Sequence, residues 1–155
     1  MAAWLDGQTA LKVRVGVAGD QPRPGEVLMA ATNDHMCVRE DGTFGYTCEP
    51  LSTPYRPSVD VFFHSVVACW QGDAIGVLLT GMGRDGAIGL KAMRARGYPT
   101  IAQDEATSAV YGMPKAAAEL GRPASSCRST GLPTSWPRAS GSESPQTCNT
   151  ASISI

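Results

Sequence analysis

The sequence lacks several features from which a function is often read. Its 13 Lys and Arg against 14 Asp and Glu leave a net charge of -1 and a pI near 6.1. That balance lacks the basic excess needed to bind nucleic acid or an anionic membrane. No apolar run approaches the roughly 18 residues needed to span a bilayer, so no membrane insertion is expected. Nor do a basic segment and an apolar segment follow Met1 as in an export signal. The cysteines, Cys37, Cys48, Cys69, Cys127 and Cys148, are odd in number and form no C-x-x-C pair. Neither a disulfide framework nor a zinc knuckle is indicated, and reduced thiols in a cytoplasmic protein are the simpler expectation. Histidine is limited to His35 and His64. These residues supply no ligand spacing, so neither a metal nor a cofactor is expected. No serine occurs before Ser52.

What is present is unevenly distributed. Between 122 and 155, Ser, Thr, Pro and Gly fill 19 of 34 positions, and Glu143 is the only acidic residue. Such a stretch cannot bury enough apolar surface to offset its ordering entropy. The expectation is a domain over 1–121, which holds almost all the periodic apolar pattern, followed by a Ser/Thr/Pro-rich, disordered tail over 122–155.

Within the domain, Val13, Val15 and Val17 alternate with Arg14 and Gly16 as in a half-buried strand. A turn over Gly19 to Gly25 leads to Val27–Ala31, an apolar run too short for a helix that reads as a buried strand. Met36–Arg39 and Thr43–Thr47 flank Asp41-Gly42, a hairpin signal. Pro50 to Pro57 reads as extended, because each proline biases its predecessor away from helix. Val59, Phe62, Phe63, Val66 and Val67 then mark one helix face, with Ser58 as N-cap, Asp60 at the positive end of the dipole and Gly72 as the stop. Ile75–Thr80, a glycine-rich turn, a helix over Ala87–Arg96 and Tyr98–Ala102 form a βαβ unit with parallel strands. A last helix starts at Pro114 and stops at Gly121. The expected fold is therefore α/β: a doubly wound, mostly parallel, Rossmann-like sheet with helices on both faces.

The turn admits more than one chemistry. Gly81, Gly83 and Gly86 satisfy G-x-G-x-x-G between strand and helix, and Asp104 follows where a ribose-binding acid would stand. Against a dinucleotide stands Asp85, whose carboxylate would repel a pyrophosphate at the helix N-terminus. Asp85 can instead be a positioned acid at the C-terminal end of a central strand, able to orient a histidine that takes a proton from a serine. It can also be an N-cap and nothing more. His64, on the edge of a helical apolar face, is read as structural.

Three segments carry a resemblance: Val77-Leu-Leu-Thr-Gly-Met-Gly-Arg-Asp-Gly-Ala87, Ile101–Ala106 and Val110-Tyr-Gly-Met-Pro114. With Arg56-Pro-Ser-Val-Asp60 and Asn33-Asp-His-Met36 upstream, they resemble, in order, the catalytic domain of the CheB protein-glutamate methylesterases over about 4–121. The resemblance implies an α/β esterase with a Ser-His-Asp triad. Its reaction would be hydrolysis of glutamate methyl esters, with glutamine deamidation as in many members of the family, on the cytoplasmic part of methyl-accepting chemotaxis receptors. It also implies that Asp85 is the triad acid, that Met82 and Gly83 belong to the loop shaping the site, and that His35 is a histidine near the site's mouth rather than the triad histidine. A loop-end His35 with a solvated ring is the alternative.

The sequence departs from that family at both ends. The family's nucleophile lies in an S-x-G-G turn and its triad histidine in a Q-H-M segment, both ahead of the region matching Trp4. Neither pattern occurs in this sequence. Ser52 and Ser58 lack the strand-to-helix setting that exposes a nucleophile. The expectation is a domain truncated on its N-terminal side and inactive alone, since loss of the nucleophile costs orders of magnitude in rate. The other functional readings are a non-catalytic receptor-binding remnant and a dinucleotide-binding module. After Gly121 the resemblance gives way abruptly, as a reading-frame shift would produce.

Overall fold

A computed structural model describes residues 1–31, 33–121 and the backbone of two short later strands, 125–127 and 153–154. The chain opens with a short helix, α1 (Ala2–Asp6), followed by β1 (Lys12–Val15) and β2 (Glu26–Met29). These strands pair in parallel, with Lys12 opposite Glu26 and Val15 opposite Met29. Arg14 fastens their connection by reaching Asp20 at 2.6 Å and Glu26 at 2.7 Å. The strand expected from the three valines is present but shorter, and only Val13 is buried, whereas Val15 and Val17 are exposed. β2 is half-buried throughout rather than buried. A parallel pair this narrow lacks the layers that cover both faces of a larger parallel sheet.

The hairpin forms where Asp41-Gly42 places it, as β3 (His35–Val38) antiparallel to β4 (Phe44–Thr47). Gly42 takes φ +76°, which suits a residue without Cβ. Met36, Val38 and Phe44 are buried against Phe62, Phe63 and Val66 of α2 (Val59–Cys69). The intervening 50–57 segment is not extended. It turns, with Thr53 N–H bonded to the Pro50 carbonyl at 3.2 Å and cis peptide bonds before Pro50 and Pro57. α2 is capped by Ser58 as expected and ends at Cys69, ahead of Gly72.

The βαβ unit is β5 (Gly76–Leu78), α3 (Ala87–Ala95) and β6 (Thr100–Gln103), with its strands parallel. α4 (Met113–Glu119) follows, with Pro114 in its first turn and Gly121 at φ +123° beyond its end. β7 (Ser125–Cys127) and β8 (Ile153–Ser154) pair in parallel on the two sides, giving the order β7-β6-β5-β8. Apart from those two strands, the tail expected over 122–155 lies outside the described residues. Leu90 and Met93 of α3 lie over Gly76, and Ala116 and Ala117 of α4 share the core with Leu78 and Ala102. α3 and α4 thus lie on one face of the sheet, while Ile75, Val77 and Ile101 form a separate cluster.

Candidate active site

β5 ends in the loop Thr80–Gly86, which runs into α3 and carries Asp85. Although charged, Asp85 is only 7% exposed, so its carboxylate needs donors. Three come from the start of α2. Oδ1 accepts from the Ser58 hydroxyl at 2.8 Å and from Asp60 N–H at 3.1 Å, and Oδ2 accepts from Val59 N–H at 2.7 Å. The positive end of α2 therefore faces the carboxylate. The reading of Asp85 as an N-cap is true in an unexpected sense: it caps α2 across space, while the N-cap position of α3 itself is Gly86 at φ +83°. An ionised carboxylate has about four acceptor sites, and the described residues fill three, two on Oδ1 and one on Oδ2.

His35, at the start of β3, is fully buried. The alternative of a solvated loop-end ring is overturned, because the ring lies beneath the turn that leads into α2. Its Nδ1 accepts from Ser58 N–H at 3.1 Å, so the ring's donor is Nε2. Among the described residues Nε2 has no partner. His35, Ser58 and Asp85 are the three residue types of a hydrolytic triad, but they are connected differently. The serine hydroxyl faces the acid, and the imidazole faces the serine's amide. Ser58 is 2% exposed, so it is not a nucleophile presented to substrate. The sequence identified Ser58 as a cap but gave no sign that its hydroxyl serves Asp85, since the two are 27 positions apart.

Met82 projects from the loop and is 84% exposed. Gly83, at φ +97°, packs under Tyr55, whose hydroxyl would stand 2.8 Å from any added Cβ. Tyr55 was not singled out in the sequence; the packing alone brings it to the loop. The other loop glycines are also accounted for by packing. A Cβ at Gly81 would collide with the Met113 sulfur, and one at Gly86 would lie 2.7 Å from Leu78 and 2.8 Å from Val59. Packing within the fold therefore accounts for all three loop glycines without a pyrophosphate. Asp104 Oδ1 accepts from Thr107 N–H at 2.9 Å within its own turn, and among the described residues its Oδ2 has no partner. His64 is exposed and its Nδ1 lies 2.7 Å from the Asp60 carbonyl one helical turn back, consistent with a structural role.

Asp60 is the second acid of this neighbourhood. Its Oδ1 accepts from Gly89 N–H at 2.6 Å. Burial pushes its carboxyl above the usual range; the Gly89 bond opposes that shift and the nearby Asp85 charge adds to it.

The family model described as CheB methylesterase matches residues 1–133. The chain belongs to the CheB methylesterase family. Its match to this family runs past Gly121, where the motif resemblance ended. A protein-glutamate methylesterase/protein-glutamine glutaminase 2 from Burkholderia lata is 70% identical over 121 residues, covering 78% of this chain and 36% of the relative. A protein of the same name from Burkholderia pseudomallei is 69% identical, covering 78% and 35%. The chain thus spans about a third of the length of these curated relatives. The crystal structure of the Thermotoga maritima CheB methylesterase catalytic domain superposes with a TM-score of 0.75 at 30% identity, covering 82% of this chain and 69% of that one. The α/β, Rossmann-like fold of a CheB domain is thereby established for this chain.

Proposed function

We propose that this CheB-family chain carries the acid of an ester-hydrolysing triad, Asp85, together with the loop that shapes the site, Met82 and Gly83, and the buried His35. The observation that supports this reading is the carboxylate of Asp85 at the C-terminal end of a central strand, where open α/β sheets bind ligands, held there by three donors from the start of α2. In such a triad the acid orients a histidine and stabilises the imidazolium that forms when the histidine takes the serine's proton, and backbone N–H groups hold the oxyanion. The substrate class is glutamate methyl esters on the cytoplasmic part of chemotaxis receptors, with glutamine deamidation as the related reaction. A cytoplasmic location fits that partner. Among the described residues no helix is long and apolar enough to cross a membrane.

The sequence contains no S-x-G-G and no Q-H-M, so the chain alone supplies neither the nucleophile nor the base of that pattern; the alternative reading is a non-catalytic receptor-binding part. The test is to mix the purified chain with methylated receptor cytoplasmic fragments and measure both methanol release and retention on immobilised receptor. The expected result is retention above a control protein with no methanol above a protein-free blank. Release at an ordinary enzymatic rate would overturn the first part of the reading, and absence of retention the second.

A further inference from the structure

We infer that Ser58 and His35 are positioning residues for Asp85, acting in series. This rests on the reading of Asp85 as a triad acid and adds how that acid is held. Ser58 uses each of its polar groups. Its carbonyl accepts from Phe62 N–H at 3.3 Å, and its hydroxyl accepts from Val61 N–H at 3.4 Å while donating to Asp85 at 2.8 Å. Its N–H donates to His35 Nδ1 at 3.1 Å. An ordinary N-cap serine needs none of the last two contacts to start a helix.

The consequence for the carboxylate is geometric. A free aspartate turns about its two side-chain torsions and presents either oxygen. Here Oδ1 is tied by the hydroxyl and by Asp60 N–H, so the unfilled acceptor site is confined to Oδ2. A hydroxyl that rotated away from Oδ1 would leave each oxygen with one backbone donor, and Oδ1 as well as Oδ2 would then present an acceptor site. His35 prevents a prior failure. By accepting from Ser58 N–H it holds the residue ahead of α2 in its extended conformation, φ -103° and ψ 132°, from which the hydroxyl reaches Asp85. The buried ring, with Nε2 unpaired among the described residues, is spent on that one contact.

The test uses the full chain, labelled with nitrogen-15 and carbon-13. A nitrogen–nitrogen coupling across the Ser58 N–H to His35 Nδ1 bond is expected in the unaltered protein. Ser58→Ala and His35→Ala are expected to move the Asp85 carboxylate carbon and the Val59 amide proton, and to lower Val59 and Asp60 amide protection about tenfold, as loss of roughly 1.4 kcal/mol of hydrogen bonding does. Ser58→Thr keeps the hydroxyl, and His35→Asn places an acceptor near Nδ1; both are expected to restore the Asp85 signal. A cap that served only α2 would not move that carbon. The inference is overturned if the coupling is absent, or if Asp85 is unmoved in Ser58→Ala. Should His35→Ala fail to fold, the coupling and the Ser58 pair still decide it. Because none of these readouts needs receptor, a failure of receptor retention counts against the functional reading alone.

Discussion

Asp60 and Asp85 each cap the helix that the other introduces. Asp85, just ahead of α3, accepts from Val59 and Asp60 N–H in the first turn of α2. Asp60, in that same turn, accepts from Gly89 N–H in the first turn of α3 at 2.6 Å. Two helix N-termini, each carrying unpaired N–H groups and a positive dipole end, are thus neutralised reciprocally. The arrangement requires the two helices to approach closely, which explains small residues at Gly86 and Gly89.

Removing either acid should therefore loosen both helices, but unequally. Asp85→Ala leaves buried donors unpaired and is expected to cost about 3 kcal/mol, whereas Asp60→Ala, at a half-buried position, is expected to cost about 1 kcal/mol. Urea unfolding at constant m value measures both. The double variant should lose less than the two single losses combined, since the sites share partners.

Gly89 marks the tightest approach between α2 and α3. A Cβ there would lie 2.6 Å from Phe63 Cβ and 3.1 Å from Asp60 Cα. Gly89→Ala is expected to destabilise by about 2 to 3 kcal/mol through overpacking, despite alanine's better helix propensity. Gly97 is the control: φ is +98° and nothing lies within 4 Å of an added Cβ, so Gly97→Ala should cost only the backbone strain of about 1 kcal/mol. Equal losses at the two sites in urea melts would contradict this account.

Two groups of carboxylates should respond oppositely to acid. Hydrogen bonds from Arg14 hold Asp20 and Glu26 below their ordinary values of 3.8 and 4.5. Their stabilisation is full above those values and is lost as pH falls through the lowered ones. Asp60, raised above 3.8 chiefly by burial, favours the fold more when protonated, so its contribution improves as pH falls through its raised value. Arg14→Met should flatten the acid loss of stability, and Asp60→Asn should steepen it. Melts across pH 2 to 6 at low salt test the two slopes.

The glycine loop should not bind a dinucleotide. Calorimetry with NAD is expected to give no heat of binding for the unaltered chain. Asp85→Gly is expected to give none either, because Met113, Tyr55 and Val59 still fill the space beside the loop glycines. Measurable affinity in Asp85→Gly would show that charge alone had excluded the ligand.

Much of the fold was legible because it is written in near neighbours. The hairpin at Asp41-Gly42, the period of α2 and its Ser58 cap depend on residues a few positions apart, and each strand and helix of the βαβ unit carries its own local pattern; all form. Legibility failed where burial depends on a second layer. Val15 and Val17 alternate correctly yet remain exposed, and the 50–57 segment turns where proline chemistry alone suggested extension.

Local patterns along the chain account for the α/β class, the run of motifs that places the chain in its family, and the absence of any S-x-G-G serine. Tertiary structure decided what Asp85 caps, that His35 is buried, and why the loop residues are glycine. The reason is distance along the chain. Asp85 meets its donors across 25 to 27 positions and Ser58 meets His35 across 23. No local pattern encodes which donor faces a carboxylate once two helices have packed.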